Sequence, residues 1–271
     1  MLKDITLGQF FPGESVIHKM DPRVKIIITI VYIVTLFLAE GPIGYAILFA
    51  TLAGIILVSR ISLKVIVRSM RPLLFIILFT ALLNMFYSGG EREIFHVWFL
   101  RMTWEGLERA IYMVLRITLL VAGTFVLLTY TTSPIRLTDG IESLLRPLQK
   151  IHMPVHELAM MMTIAMRFIP TLVEETDKII SAQKARGADF ESGNLIKRAK
   201  ALIPILVPLF VSAFRRADEL AVAMECRCYH GSEGRTRMKE LKMQGLDYVS
   251  LVVAALLCAA VVLTRNIQLW A

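Results

Sequence analysis

Long stretches without a charged residue are the feature that most restricts how this chain can fold. A transmembrane helix needs roughly 20 consecutive apolar residues, and most of five uncharged runs approach that length; they cover residues 26–39, 41–59, 72–90, 117–135 and 248–264. Hydrophobic residues occupy 56% of the 271 positions and the mean hydropathy is +0.64, which exceeds what a soluble core requires. We therefore predict an all-α integral membrane protein with about five transmembrane helices.

The first of these runs is the shortest of the five. To cross the bilayer it must be extended towards its N-terminal side, where Val24 lies between Arg23 and Lys25. Long basic side chains can cover apolar surface with their stems and place the charge at the membrane interface. We expect Arg23 and Lys25 to do this.

Basic residues indicate which side of the membrane each connection faces. Short loops rich in Lys and Arg remain in the cytoplasm, and such residues are concentrated before the first run and between the second and third runs. The N-terminus is therefore expected to be cytoplasmic. With five spans, the long segment between the fourth and fifth is cytoplasmic as well.

That long segment is predicted to form three long cytoplasmic or interfacial helices. An apolar stripe at three- and four-residue steps marks the first, over residues 137–151. Residues 155–186 favour a second helix that contains Pro170, and residues 201–214, with two prolines, continue into a polar stretch as the third. The corresponding domains are 1–133 with four transmembrane helices, 134–245 with the three helices, and 246–271 with the final transmembrane helix.

An alternative is that the second and third of these helices also cross the membrane, which would make seven spans. Charged residues argue against it, since Glu157 and Arg167 interrupt the second helix. A charged side chain at the centre of a membrane helix costs about 2.5–3.5 kcal/mol on insertion scales.

Two arginines occupy corresponding positions in this segment. Arg186 lies in AQKARGADF (residues 182–190), and Arg227 lies 41 positions later in AMECRCYHG (residues 223–231). Both arginines are expected near helix C-termini, where a cation complements the helix dipole. Gly187 is a natural C-cap for the first of these helices. The structural role of the two arginines is the simpler alternative to a functional one.

Four motifs in sequence order resemble a known family. DPRVK (21–25), MRFIPTLVEE (166–175), AQKARGADF (182–190) and RADELAVAMECRCY (216–229), followed by the basic SEGRTR (232–237), are similar to the signatures of the transmembrane, T, subunit of energy-coupling factor transporters. The resemblance covers essentially the whole chain and implies a bacterial cell-membrane protein whose long cytoplasmic helices are coupling helices. The implied partners are two ABC ATPase subunits and a small membrane subunit that captures the substrate, possibly one of several interchangeable ones.

The resemblance also implies what the two arginines do. In that family, Ala-Arg-Gly motifs at the ends of coupling helices dock into grooves on the two ATPases. Here the first arginine tip is intact as Ala185, Arg186 and Gly187, whereas the second arginine tip, Cys226, Arg227 and Cys228, retains only the arginine. Two cysteines with His230 are an incomplete ligand set for zinc, so we expect no metal and no cofactor in this chain.

Methionines form a second candidate site at the start of the second coupling helix. They are Met153, Met160, Met161, Met162 and Met166. Flexible thioethers suit an adaptable surface for several substrate-capture subunits. Filling of a core is the alternative role.

Two other functions were weighed. A conventional ABC importer permease would line the substrate path itself and would not devote over a hundred residues to coupling helices. An intramembrane enzyme would need catalytic carboxylates or a histidine cluster in its spans, and the five runs contain no Asp or Glu.

The phosphate-binding pattern G-x-x-x-x-G-K-[ST] does not occur, so ATP hydrolysis is expected in the partners. The resemblance implies vitamins or transition-metal ions as substrates, and GADF and SEGRTR look more like the type that is shared among several vitamin-capture subunits. No nucleic-acid partner is expected.

Overall fold

A computed structural model describes residues 10–87, 93–97, 100–190, 194–231 and 241–269. These residues form nine α-helices and a two-stranded antiparallel hairpin. The elements are α1 (Val16–Lys19), α2 (Pro22–Leu38), α3 (Gly41–Ser59), α4 (Leu63–Tyr87), β1 (Glu93–Val97), β2 (Leu100–Thr103), α5 (Trp104–Thr124), α6 (Pro134–Leu145), α7 (Val155–Ala185), α8 (Leu195–Glu225) and α9 (Gly245–Leu269). A π-helical turn (Phe125–Thr129) extends α5, and a 3-10 segment (Arg146–Ile151) follows α6.

Among the described residues, four helices are long and apolar enough to cross a membrane. They are α3, most of α4, α5 with its π-helical turn, and α9 as far as Arg265. The fifth predicted span corresponds to α2, which has 17 residues. Within the described residues neither α7 nor α8 meets the same criterion of length and composition, so the seven-span alternative gains no support. The predicted all-α membrane fold is confirmed, with the hairpin as an unpredicted addition.

Two of the membrane helices begin earlier than the uncharged runs that predicted them. Helix α4 starts at Leu63 and contains Pro72, and α5 starts at Trp104. The Thr103 hydroxyl oxygen accepts a hydrogen bond from the Gly106 N–H at 3.2 Å and so caps α5. The charged residues that follow each start were interpreted as connections, but they lie within the first turns of the helices.

The chain divides into two compact units, which we call the membrane unit and the coupling unit. The membrane unit contains the described residues of 8–141 and 241–271, and the coupling unit those of 142–240. The division falls inside α6. The three domains proposed from the sequence remain a prediction.

The core of the membrane unit lies between α2, α3, α5 and α9. Its largest buried apolar side chains include Tyr32, Leu48, Leu119 and Tyr130. The Tyr32 hydroxyl donates to the main-chain oxygen of Leu119 at 2.9 Å. A Cβ at Gly123 would lie 2.3 Å from the Tyr32 ring, so only glycine allows α2 and α5 to approach this closely.

In the coupling unit, α7 and α8 pack against each other in an antiparallel sense. Arg216 Nη2 donates to Glu175 Oε2 at 3.1 Å, and Gln183 Nε2 donates to the Pro204 carbonyl oxygen at 3.4 Å. Pro208 has no N–H to offer the carbonyl of Pro204 four residues earlier, so that oxygen needs another donor. The Gln183 side chain supplies it.

Candidate docking tips and a buried polar cluster

Helix α7 ends in the first arginine tip through a defined set of main-chain hydrogen bonds. The Gly187 N–H donates to the Lys184 oxygen and the Ala188 N–H to the Gln183 oxygen, both at 3.0 Å. Gly187 has φ +85°. A bond from Ala188 back to Gln183 that encloses a left-handed residue, Gly187, is typical of a Schellman-type helix end. The prediction of Gly187 as C-cap glycine is confirmed.

Helix α8 ends in the second arginine tip with the same bonds shifted by 41 positions. The Cys228 N–H donates to the Glu225 oxygen at 2.9 Å and the Tyr229 N–H to the Met224 oxygen at 3.1 Å. Cys228 takes the place of Gly187 and has φ +56°. The two tips therefore share one backbone design, although only the first has the glycine that suits it.

Both tips are exposed to solvent. Every residue of the two tips is exposed, the arginines included. Among the residues that the structure describes, no acidic side chain lies within ion-pairing distance of Arg186 or Arg227. Their guanidinium groups stand at helix C-termini, where the helix dipole favours a cation, and they can bind acidic groups of a partner. At the second tip, His230 Nδ1 donates to the Cys228 oxygen at 2.8 Å.

The predicted methionine surface has mixed burial. Met153, Met161 and Met162 are 46%, 58% and 48% exposed, whereas Met160 and Met166 are partly buried. Leu158 adds further exposed apolar area beside them. For the three exposed methionines a role in filling this chain's own core is excluded.

The DPRVK motif lies in a buried polar cluster that sequence analysis did not predict. Asp21 Oδ1 accepts from the Arg23 N–H at 2.9 Å and caps α2, while the Asp21 N–H donates to Asp247 Oδ1 at 2.9 Å. The other carboxylate oxygen of Asp247 accepts from the Gln244 N–H at 2.8 Å. The start of α2 is thereby joined to the start of α9.

Lys25 joins a third segment to this cluster. Its Nζ donates to the Thr131 carbonyl oxygen at 2.9 Å and to Thr132 Oγ1 at 3.0 Å. Only 2% of Lys25 is exposed, and Arg23 Nη2 donates to the Leu241 oxygen at 2.7 Å. The expectation of an interfacial side chain was wrong for Lys25, because Thr131 and Thr132 within the protein bind its buried ammonium group. The Arg23 side chain is 23% exposed, and its Nε lies 3.6 Å from Asp21 Oδ1. The DPRVK motif was the sequence signal for this cluster, but its hydrogen-bond partners lie over a hundred residues away in the chain.

SEGRTR, residues 232–237, lies outside the described residues. The other four motifs fall on α2, α7, the end of α7 and the end of α8. Two of them therefore form helix ends, and one forms the polar cluster.

Comparison with known proteins identifies the family. The family described as "CbiQ: Cobalt transport protein" matches residues 13–238. The energy-coupling factor transporter transmembrane protein EcfT of Clostridium kluyveri is 56% identical over 98% of both chains, and that of Thermosediminibacter oceani is 53% identical over 98% of this chain and all of its own. EcfT of Lactococcus lactis subsp. cremoris is 47% identical over 97% of both. The chain therefore belongs to the CbiQ family, as a multi-pass transmembrane subunit of energy-coupling factor transporters.

Proposed function

We propose that this chain is the coupling subunit of an importer, transmitting ATP-driven movement of two ABC ATPase subunits to a membrane subunit that captures the substrate. The observation that carries the proposal is the pair of matched, exposed arginine tips at the ends of two 31-residue helices. Two helix ends of the same backbone design suit two related ATPase surfaces. Two such tips are more than the single coupling loop expected of a conventional permease.

The chemistry of docking follows from the guanidinium group. It is always charged, and its planar set of donors can form paired hydrogen bonds with a carboxylate in a groove. At the first tip, Ala185 and Gly187 leave room for close approach on both sides of Arg186. At the second, Cys226 and Cys228 add bulk beside Arg227, so we expect a looser or wider groove on that ATPase.

The partner that captures the substrate is proposed to contact the methionine surface and the apolar face of α8. That face is a band of exposed large residues comprising Leu202, Ile203, Leu206, Val207, Phe210, Val211 and Phe214. Contiguous exposed apolar surface of this kind is typical of protein or membrane contacts. Methionine side chains can repack against different partners, which suits a subunit shared among several capture proteins.

The substrate itself would be recognised by that partner. Vitamins are the proposed class, from the GADF and SEGRTR motifs. ATP would be bound and hydrolysed by the ATPases, since this sequence has no phosphate-binding loop.

A co-purification experiment with two kinds of variant tests the division of roles. The full complex is purified from membranes through a tag on this chain, with ATP-dependent vitamin uptake measured in the same cells. Arg186→Glu with Arg227→Glu should reduce recovery of the ATPases at least tenfold, because losing a buried charge pair costs about 2–5 kcal/mol. Uptake should fall with it, while the small membrane protein is retained.

Two controls make the test selective. Lys178→Glu reverses an exposed charge on α7 outside the tips and outside the surfaces proposed for the capture partner, and it should leave both partners bound. Met161→Glu should release the small membrane protein and keep the ATPases. Unchanged ATPase recovery and uptake in the double arginine variant would contradict the proposal.

A further inference from the structure

A deep apolar groove lies in the membrane unit between α1, α2, α3 and α9. Its volume is about 400 Å³, within the range of roughly 300–1,000 Å³ typical of small-molecule sites. The floor is buried and includes Ile17, Tyr32 and Leu48, whereas the rim is exposed and includes Val58 and Val253. The rim lies on α3 and α9, two of the helices that are long and apolar enough to cross a membrane, so we expect the groove to open towards the lipid.

The length of the groove matches one leaflet of a bilayer. Along α2 its lining extends from Lys25 to Thr35, ten residues that rise about 15 Å in a helix. The hydrocarbon core of a bilayer is about 30 Å thick. An occupant that enters from one leaflet would therefore fill the groove without crossing the membrane.

The walls offer almost nothing to a polar ligand. Four of the described lining residues carry hydroxyl groups, and each donates to a main-chain carbonyl oxygen: Tyr32 to Leu119, Thr35 to Val31, Thr51 to Ile47 and Ser250 to Asp247. The Lys25 ammonium at one end is bonded to Thr131 and Thr132. The occupant that suits these walls is a hydrocarbon chain.

Exposed basic residues outnumber exposed acidic ones beside the lining residues at the Lys25 end: Lys19 and Arg60 lie within two positions of Met20 and Val58, and Glu14 lies two positions before Val16. Lys19 is exposed and precedes the lining residue Met20. The two nearby carboxylates, Asp21 and Asp247, are buried and accept main-chain N–H bonds. An anionic headgroup would therefore meet Lys19 without an exposed acidic neighbour from this cluster.

We propose that this groove binds one acyl chain of an anionic bilayer phospholipid, with the headgroup beside Lys19. Gly54 maintains the space, because a Cβ added there would meet no atom within 4 Å. A larger side chain at Gly54 can thus fill the groove without displacing its walls. Charge complementarity at one end favours a lipid over the apolar middle of a partner's membrane helix.

Photolabelling of the full complex in vesicles tests the proposal. The vesicles contain phosphatidylglycerol and phosphatidylethanolamine with a trace of phosphatidylglycerol that bears a photoreactive acyl chain. Adducts are mapped after proteolysis and should concentrate on residues 51–58 and 249–254. Gly54→Leu should reduce these adducts at least fivefold, whereas Leu57→Phe, at a position that is 78% exposed and outside the groove, should leave them unchanged.

Further measurements test the headgroup preference, provide a second filling variant and distinguish a lipid from a protein partner. A phosphatidylcholine probe should label the groove several-fold less than the phosphatidylglycerol probe, and Lys19→Gln should remove that preference. Ala254→Leu fills the groove from α9 and replaces Gly54→Leu if the latter fails to reach the membrane. The proposal is overturned if adducts spread evenly over the exposed faces and ignore the filling variants. It is also overturned if the two lipid probes label equally, or if a photoreactive residue at Val253 links to a partner protein instead of lipid.

Discussion

At the scale of single residues, the two arginine tips differ in how well their backbone suits their side chains. The positive φ angles of Gly187 and Cys228 occupy matched positions in matched helix ends. Glycine adopts this conformation readily, but a side chain in the left-handed region costs about 1–2 kcal/mol. The second tip is therefore the strained one.

Adding a side chain at Gly187 and removing the one at Cys228 should reverse this difference. Gly187→Ala should loosen the end of α7 by about 1 kcal/mol and Cys228→Gly should stabilise the end of α8 by a similar amount. The cost at Gly187 is purely conformational, since an added Cβ would meet nothing within 4 Å. Hydrogen exchange at the cap amides of Ala188 and Tyr229 measures both effects, at about fivefold per variant. Cys226→Ala, at a residue with negative φ, is the control; if it slows exchange at Tyr229 as much as Cys228→Gly does, strain is not the cause.

At the scale of elements, the buried polar cluster connects the segments of the membrane unit that flank the coupling unit in the sequence. It joins the start of α2, the residues that precede α6, and the residues that precede α9. The chain leaves the membrane unit after the second of these segments and returns at the third. Buried charges are costly without hydrogen bonds. The Lys25 ammonium and the Asp247 carboxylate have such bonds, whereas Arg23 Nε is buried without a hydrogen-bond partner among the described residues.

Loss of the Asp247 charge should therefore destabilise the membrane unit. Asp247→Asn weakens two bonds between a carboxylate and main-chain N–H groups, and we expect a loss of about 1.5–3 kcal/mol. At about 2–4 °C per kcal/mol for a large domain, that corresponds to a fall in the unfolding midpoint of roughly 3–12 °C in detergent.

A surface pair on the same unit is the matched control. Glu40→Gln breaks the contact of 3.1 Å between Glu40 Oε1 and Arg265 Nη2, whose side chains are 51% and 37% exposed. Exposed pairs contribute about 0–1 kcal/mol, so the midpoint should move little. Equal shifts of the unfolding midpoint in the two variants would show that the buried cluster contributes no more to stability than the exposed ion pair does.

At the scale of the whole molecule, the number of crossings decides which side of the membrane the coupling unit occupies relative to the N-terminus. In the part of the chain that the structure describes, four helices have the length and composition of spans, and α2 is the fifth predicted one. If α2 crosses, the residues before it and the coupling unit lie on the same side. If it does not, they lie on opposite sides.

The protein's own cysteines provide the test. Cys226 and Cys228 are exposed, and Cys258 lies within α9. A membrane-impermeant maleimide should label the first two in inverted vesicles and not in intact spheroplasts. In a chain with both replaced by alanine, Glu14→Cys should be labelled like them, and Glu40→Cys only from outside. Labelling of Glu14→Cys from outside would contradict a crossing by α2, and labelling of Cys226 from outside would contradict the predicted cytoplasmic location of the coupling unit.

The sequence by itself was enough for the class of fold, because hydrophobic runs of bilayer length can satisfy their main-chain groups only as helices. It also located α7 and α8 and the cap at Gly187. It misjudged where α4 and α5 begin, because charged residues in the first turns of a helix resemble a loop when only hydropathy is read. Long side chains there can reach polar surroundings without breaking the helix.

Tertiary structure alone decided the role of DPRVK. Lys25 is held by Thr131 and Thr132, 106 and 107 residues away, and Asp21 by Asp247, 226 residues away. No local pattern encodes such partners, so a lysine beside an apolar run was expected at the interface and is buried. The groove beside Gly54 arises in the same way, since its walls are helices distant in sequence. Local periodicity and composition specify helices, whereas burial and cavities depend on which helices meet.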